Sequence, residues 1–360
     1  MFLISLVLLL CVVIGKVLSS GESKGNPMAK RQETIAAYSP GRVPQDVATL
    51  RGVIDYVSWY DDKPSLLFSI PNLPNHQSPS LQLTELLGQE VRFSLSEERY
   101  CTSCGAKSDR GICPDCAGEP PYTDCVRSPA KYCNYRSCPF PDYKQRSCSH
   151  AHVVYFTATD RIKVGITRES RTRQRWLEQG ASHGIPVARA PNRKAAGLIE
   201  KTLGEEWAQK QSGGWYEPLE DPRHKLVEAT LSAGELIHED LMHLYIWGDA
   251  DVNKIEEDVV SLPEFSTPGL NNKLAAKLHS VTPGENREGR VVGVRGGILA
   301  TDRFVINLSK HDGRVITFEI DDEFLDDADL RVLDSEDTDS GNDLSEIDNI
   351  HELPTRGELA

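Results

Sequence analysis

The stretch HAHVVYFTATDRIKVGITRESRTRQRWLEQG, residues 150–180, decides the fold of the middle of this chain. Residues 153–156 are apolar, β-branched and aromatic, a composition that predicts a strand. Residues 162–167 predict a second strand after a polar turn at 159–161. Gly165 lies inside that second strand, where a glycine often marks a bulge or the close approach of a neighbour.

Residues 168–179 predict a helix that Gly180 closes in the usual C-terminal position. The following stretch, ASHGIPVARAPNRKAAGLIEKTLGEEW, predicts another helix over 193–207 with Glu200 in its interior. Two antiparallel strands that lead into a basic helix, with a carboxylate on the next helix, suit a site that handles phosphate. Four arginines crowd the start of the first helix, namely Arg168, Arg171, Arg173 and Arg175.

The net charge of −14 over 360 residues argues against a surface that is basic throughout. The charge is uneven, however, because residues 321–348 hold thirteen Asp and Glu against the single Arg331. Residues 161–175 hold six Lys and Arg against Glu169 alone. This asymmetry predicts a locally basic face on an acidic protein.

Eight of the nine cysteines lie between residues 101 and 148, and the first four form two CxxC pairs separated by eight residues. Paired knuckles of this kind give a closed tetrahedral zinc site with no open position for catalysis. Gly105 and Gly118 are expected to supply backbone freedom after each pair. Disulfides or a redox pair are the alternative, but the spacing favours metal in a reducing compartment. The predicted ligands are Cys101, Cys104, Cys113 and Cys116.

A second, looser set of cysteines follows, with His150 and His152 nearby. Two interpretations stay open for it. The set binds a second zinc through four cysteines or three and a histidine, or some of its members are buried free thiols. The sequence thus predicts one or two structural zinc ions. The residues of this set are Cys125, Cys133, Cys138 and Cys148.

Five runs of the sequence stand out: KYCNYRSC (131–138), HVVYF (152–156), KVGITR (163–168), RWLEQGA (175–181) and AGLIE (196–200). Together they resemble the motifs of the uncharacterised domain-of-unknown-function family numbered 2797. The resemblance covers residues 50–320 and is most specific in the centre, but it brings no established activity.

A more distant resemblance links VYF followed by KVG to the GIY-YIG nuclease pattern. It implies that Tyr155 helps to activate or position the attacking water, that Gly165 is the motif glycine, and that Glu200 holds one Mg or Mn ion. An arginine of the following helix would contact the scissile phosphate. Spacing from the glycine favours Arg173 for that role, whereas the RW motif favours Arg175.

Lys163 stands where the GIY-YIG pattern most often carries a second tyrosine, so the fold is a stronger expectation than catalysis. We therefore predict a zinc-containing nucleic-acid-binding protein with a GIY-YIG-like domain, with DNA or RNA as partner and no small-molecule cofactor. A divalent-metal-dependent endonuclease is the first alternative. A structural or protein-interaction module is the second, in which Tyr155 is a strand aromatic and Glu200 belongs to surface ion pairs.

The expected fold class is α+β, with a zinc-ribbon-like module joined to the GIY-YIG-like domain and flanked by two β units. The expected segments are 1–27 (apolar leader or mis-assigned start), 28–48 (disordered linker), 49–100 (N-terminal β unit), 101–149 (cysteine module), 150–217 (central domain), 218–280 (helical segment), 281–320 (C-terminal β meander) and 321–360 (acidic disordered tail).

The expected location is the cytoplasm. The apolar run 2–14 is shorter than the 20 or so residues of an ordinary membrane span. It leaves a secreted or membrane-anchored protein as the alternative, and we expect contact with a membrane only if this run is retained.

Overall fold

A computed structural model describes residues 47–69, 80–207, 219–248, 250–267, 270, 274 and 277–321. The apolar run 2–14, nearly all of the predicted linker and the acidic tail after residue 321 lie outside these described residues. Among the described residues, no helix has both the length and the apolar character that a membrane crossing needs.

Strands and helices both contribute, so the predicted α+β class is confirmed. The strands are β1 (Val47–Tyr60), β2 (Lys63–Phe68), β3 (Ser80–Gln82), β4 (Glu90–Arg99), β5 (His152–Ala158), β6 (Ile162–Arg168), β7 (His183–Ala190), β8 (Val260–Ser261), β9 (Phe265–Ser266), β10 (His279–Ser280), β11 (Asn286–Arg295), β12 (Ile298–Thr301), β13 (Phe304–Asn307) and β14 (Arg314–Asp321).

Most of the helices are short. The α-helices are α1 (Pro114–Ala117), α2 (Asp124–Arg127), α3 (Pro129–Tyr132), α4 (Pro141–Tyr143), α5 (Thr172–Glu178), α6 (Arg193–Leu203), α7 (Pro222–Leu236) and α8 (Val252–Glu257). Single 3-10 turns cover Leu83–Leu86, Glu169–Arg171, Glu239–Leu244 and Leu308–Lys310, and a π turn covers Lys144–Cys148.

The larger sheet has ten strands in the order β10-β13-β12-β11-β4-β14-β1-β2-β3, with β9 paired to β11. Strand β14 lies between β1 and β4, so the strands expected in two separate β units form one continuous sheet. Its apolar face buries Ile54, Phe93 and Phe318. Within the predicted N-terminal β unit, β1 and β2 form a hairpin whose turn has positive φ at Asp61 and Asp62, as a type I′ hairpin turn requires.

The smaller sheet has the antiparallel order β6-β5-β7-β8, and it contains the predicted strand pair as β5 and β6. Strand β7 was not predicted, because its sequence contains Pro186. The register between β5 and β7 shifts at Val154 and Tyr155, next to the pairing of Tyr155 with Pro186. A bulge of this kind accommodates a residue that cannot donate to the ladder.

The two faces of the smaller sheet have different neighbours. Val153 and Tyr155 belong to the same core as the larger sheet, together with Trp176 and Leu177 of α5. The opposite face packs its apolar side chains against α6 and α7. Helix α5 therefore lies on the inner side, between β6 and the hairpin of β1 and β2.

Three predicted helices differ in extent from the observed ones. The helix expected from residue 168 starts at Thr172, because Arg168 still pairs with His152 in the β5–β6 ladder. Its end is as predicted, with Gly180 at φ +69°. The helix expected over 193–207 ends at Leu203. In the predicted helical segment 218–280, helix α7 ends at Leu236 and a separate 3-10 turn follows.

Candidate functional site

The first cysteine set forms a compact cluster of thiols. The ligand atoms of Cys101, Cys104, Cys113 and Cys116 all lie within 4.8 Å of one another. The Sγ atoms of Cys104 and Cys113 are 3.7 Å apart. Tetrahedral zinc with Zn–S bonds of about 2.3 Å holds its sulfurs about 3.8 Å apart. These residues could therefore hold a metal ion such as zinc without rearrangement.

Backbone amides favour the thiolate of Cys101, whereas burial raises the pKa of Cys104 and of Cys116. Burial opposes ionisation of Cys101, but hydrogen bonds from the amides of Cys113, Cys104 and Ser103 lower its pKa to about 7. Gly105 has φ +74°, which explains the glycine after the first pair. Gly118 has φ −73°, an ordinary helical value, so the expectation that it supplies special freedom was wrong.

The first cysteine set is fixed to the end of the larger sheet. The Tyr100 amide donates to the Gly313 carbonyl over 2.7 Å, and the Thr102 amide donates to the Gly111 carbonyl over 2.8 Å. Arg99 makes an ion pair with Asp312 beside them. The knuckle thus stands on strand ends that come from opposite ends of the chain.

The second cysteine set lies in a run of one-turn helices that packs against α6. Cys148 is buried, and Cys125, Cys133 and Cys138 are partly exposed. The four thiols are close enough for the other three to raise the pKa of Cys148 through their charge, after the larger effect of burial. Unlike the first set, they do not form a cluster within 4.8 Å among the described residues.

Tyr155 and Gly165 face each other across the β5–β6 ladder. A Cβ atom on Gly165 would stand 2.6 Å from the Tyr155 hydroxyl oxygen. Gln179 donates to that oxygen over 2.9 Å, and the Trp176 ring stands edge-on at 6.0 Å. Burial raises the pKa of the fully buried Tyr155 to about 12. The hydroxyl therefore stays protonated and is a hydrogen-bonding group, not a base.

Lys163 and Glu200 belong to the same group of side chains as Tyr155. Burial, together with the nearby charge of Arg175, lowers the pKa of Lys163 to about 8. Burial raises the pKa of Glu200 to about 7, while Arg193, Lys163 and Arg175 oppose the rise. A carboxyl group with a pKa near 7 can exchange a proton or bind a cation at neutral pH.

The structure separates the two arginines between which the sequence could not choose. Arg175 acts electrostatically on Tyr155, Lys163 and Glu200, and its guanidinium donates to Glu178 over 2.9 Å. Arg173 points away to the β1–β2 turn, where it makes a two-pronged ion pair with Asp62 at 2.6 to 3.0 Å. Arg175, not Arg173, therefore lies with the candidate site.

A second group of cations lies where the cysteine module meets β6 and α6, and we call it the arginine junction: Arg168, Arg171 and Arg193. Arg168 donates to the backbone carbonyl of Arg146 over 3.5 Å. Burial lowers the pKa of Arg168, and the positive charges of Arg171 and Arg193 lower it further. Arg171 pairs with Glu178 at 2.8 Å. Arg193 donates to the Val126 carbonyl, and Arg168 has no carboxylate partner among the described residues.

Aromatic side chains accompany the cations of the cysteine module. The Lys131 ammonium lies 4.7 Å from the ring centre of Tyr132, and the Lys144 ammonium lies 4.2 Å from that of Tyr135. Tyr132 is 49% exposed. Residues 125–150 contain five Lys and Arg against one Asp. This part of the surface is basic although the chain as a whole is acidic.

Two residues near these groups were missed as candidates. Gln179 orients the Tyr155 hydroxyl, and its place in the run RWLEQGA was the available signal. His152 was noted only as a spare metal ligand, but it is fully buried and burial lowers its pKa to about 4. Its Nδ1 lies 2.8 Å from the His150 carbonyl oxygen, and its Nε2 has no hydrogen-bond partner in the described part of the chain.

Comparison with known proteins gives one match. A family model described as protein of unknown function (DUF2797) matches residues 88–316, which is more than half of the chain and is the family that the sequence resemblance predicted. No curated protein matches the chain. No solved structure matches it either.

Proposed function

We propose that this chain, which belongs to the DUF2797 family, is a zinc-containing protein that binds nucleic acid through the arginine junction. The observation that carries the proposal is the position of Arg168, which contacts the Arg146 backbone and faces the charges of Arg171 and Arg193. Arg171 is paired with Glu178, so Arg168 and Arg193 are the like charges that a bound anion would stabilise. Guanidinium groups bind phosphate in a bidentate manner.

A nucleic-acid backbone fits the arginine junction better than a single small anion does. The basic surface continues from the junction onto the cysteine module through Lys144 and Lys131, each beside a tyrosine. Repeated phosphates need an extended row of cations, and exposed aromatic rings offer stacking surfaces for bases. The choice between DNA and RNA is left to the binding experiment.

The order of elements supports a GIY-YIG-like core beside this surface. The hairpin β5–β6 brings Gly165 opposite Tyr155, α5 follows with Arg175, and α6 carries Glu200. Arg193 begins the same helix α6 and belongs to the arginine junction. A phosphate chain held at the junction would therefore run close to the group around Glu200.

Zinc at the first cysteine set has a structural role in this proposal. Four thiolates fill all coordination positions, so no position is left for a substrate. The ion would fix the knuckle to the end of the larger sheet and keep the cysteine module in place against α6. Free thiols of this kind also suit a reducing compartment, which is why we place the protein in the cytoplasm.

Equilibrium binding at several salt concentrations tests the proposal. We expect the full chain to bind fluorescein-labelled single-stranded DNA or RNA of about 20 nucleotides, with a log-affinity that falls linearly with log salt. Each phosphate neutralised contributes about −0.7 to that slope for single strands. Absence of binding to DNA and to RNA at about 50 mM salt would contradict the proposal and would leave a structural or protein-interaction role.

A metal-dependent endonuclease is the second candidate, and the group around Glu200 favours it. Glu200 would hold one Mg or Mn ion that retains several waters. Arg175 would stabilise the charge that develops on the phosphate, and Lys163 would lie in the same group. Tyr155, with its pKa of about 12, would orient a water as a donor.

The cleavage test compares two glutamate variants of the purified chain. With Mg or Mn present, Glu200→Gln should abolish cutting, whereas Glu205→Gln on the surface after the same helix should leave it unchanged. Cleavage that persists in Glu200→Gln would exclude this candidate. Binding would still be measured in both variants, so that loss of cleavage is distinguished from loss of substrate.

A further inference from the structure

The later part of the cysteine module, from residue 114 onward, contains almost no hydrophobic core. Of residues 114–150, only Pro129 and Cys148 are buried. The helices of this segment have three or four residues each, as in α2 and α3. Helices this short have little stability in water. A segment with so little apolar burial usually needs disulfides or a metal to stay folded.

The four cysteines of this segment come from separate elements. Cys125 lies on α2, Cys133 ends α3, Cys138 follows in a loop, and Cys148 ends the π turn. All four are free thiols. Helices α2 and α3 pack against each other, and α3 packs against α6. The thiols therefore belong to one small packed segment, although they stand farther apart than those of the first set.

Side chains of helix α6 hydrogen-bond to the backbone beside these cysteines and hold that part of the segment in place. Arg193 donates to the Val126 carbonyl over 2.6 and 3.1 Å, and Lys194 donates to the carbonyls of Pro129 and Ala130 over 3.2 and 2.9 Å. The space beside Pro129 is closed by the α6 helix, since a Cβ on Gly197 would meet Pro129 at 2.5 Å. The two cations lie close to the thiols, where positive charge favours thiolates.

We propose that Cys125, Cys133, Cys138 and Cys148 bind a second soft transition-metal ion, with Zn²⁺ as the natural occupant. The ion draws the four thiols into a tetrahedron and supplies the cross-link that the segment lacks. Four thiolates are the ligands that zinc accepts in structural sites. Because the segment has so little core of its own, metal binding and local folding are coupled. The buried His152 could compete with one of these thiols as a zinc ligand, because its Nε2 has no hydrogen-bond partner among the described residues. The variant His152→Ala is therefore part of the experiment.

Metal content of the full chain, expressed with added zinc and freed of loose metal by gel filtration, is the first measurement. We expect two zinc ions per wild-type chain and one in Cys133→Ser/Cys148→Ser. We also expect one in Cys101→Ser/Cys104→Ser, and two in the matched control Ser137→Ala. Two ions should remain in His152→Ala, since the proposed ligands are all thiolates. Loss of an ion in His152→Ala would overturn the four-thiolate assignment.

Thiol alkylation of the wild-type protein makes the test independent of whether the variants fold. Cys125, Cys133, Cys138 and Cys148 should be protected from iodoacetamide until a chelator is added, as read by mass spectrometry of their peptides. One zinc per wild-type chain, with equal alkylation of these four cysteines before and after the chelator, would overturn the proposal. Both outcomes are independent of nucleic-acid binding.

Discussion

Gly165 leaves room for the Tyr155 ring to cross β6, because a Cβ atom on Gly165 would lie 2.6 Å from the Tyr155 hydroxyl oxygen. The two residues are direct partners in the β5–β6 ladder. The missing side chain lets the hydroxyl reach Gln179 and the neighbourhood of Arg175. A glycine that the sequence marks as unusual in a strand is thus explained by the tyrosine opposite.

Replacing Gly165 by alanine should destabilise the fold by about 1 to 3 kcal/mol, the usual cost of overpacking a buried site. The buried Tyr155 ring cannot move away without disturbing Trp176. Urea unfolding measures the change. The matched control is Gly248→Ala, where a Cβ meets nothing within 4 Å and stability should change by less than about 0.5 kcal/mol. Equal stability of the two variants would contradict this account of Gly165.

Glu200 should make the folded protein less stable as pH rises. Its pKa is raised from 4.5 to about 7 by burial, so between these values the folded chain keeps a proton that the unfolded chain has lost. The resulting stabilisation is fully present below pH 4.5 and disappears as pH rises through 7. The total change is at most about 3 kcal/mol.

The measurement compares urea unfolding of wild type and Glu200→Gln between pH 4.5 and 7.5, without divalent ions. Other groups titrate in both proteins, so only the difference between the two curves reports on Glu200. That difference should move steadily in favour of Glu200→Gln as pH rises. A difference that stays constant with pH would show that Glu200 has an ordinary pKa.

Removal of metal from the first cysteine set should release the knuckle at residues 101–116. In Cys104→Ser we expect new proteolytic cleavage within this segment and a loss of about one zinc per chain. The exposed Lys107→Ala in the same loop serves as the control, because its ion pair with Glu98 is largely exposed. An unchanged zinc content in Cys104→Ser would show that the first cysteine set does not bind zinc.

The sequence predicted well where local pattern and structure coincide. The strands β5 and β6, the end of α5 at Gly180 and the family itself follow from short runs of residues. The CxxC pairs also led directly to a compact set of thiols. In each of these cases the physical cause lies within a few residues of the feature.

The remaining features depend on contacts between distant parts of the chain. Strand β14 pairs with β1 across more than 250 residues, as in Val53 with Val315, and no local pattern contains that information. Strand β7 was hidden by Pro186, which a bulge accommodates. Arg173 lies away from the group around Glu200 because it pairs with Asp62, a residue 111 positions away along the chain.

The contrast between Arg168 and Arg173 also carries the central claim, that nucleic acid binds at the arginine junction. Arg168 has no carboxylate partner among the described residues, whereas Arg173 is neutralised by Asp62. The most direct measurement is the salt dependence of oligonucleotide binding for Arg168→Ala and Arg173→Ala side by side. We predict weaker binding and a salt slope reduced by about 0.7 for Arg168→Ala, with wild-type behaviour for Arg173→Ala. Unchanged binding by Arg168→Ala, or equal losses in the two variants, would contradict the claim.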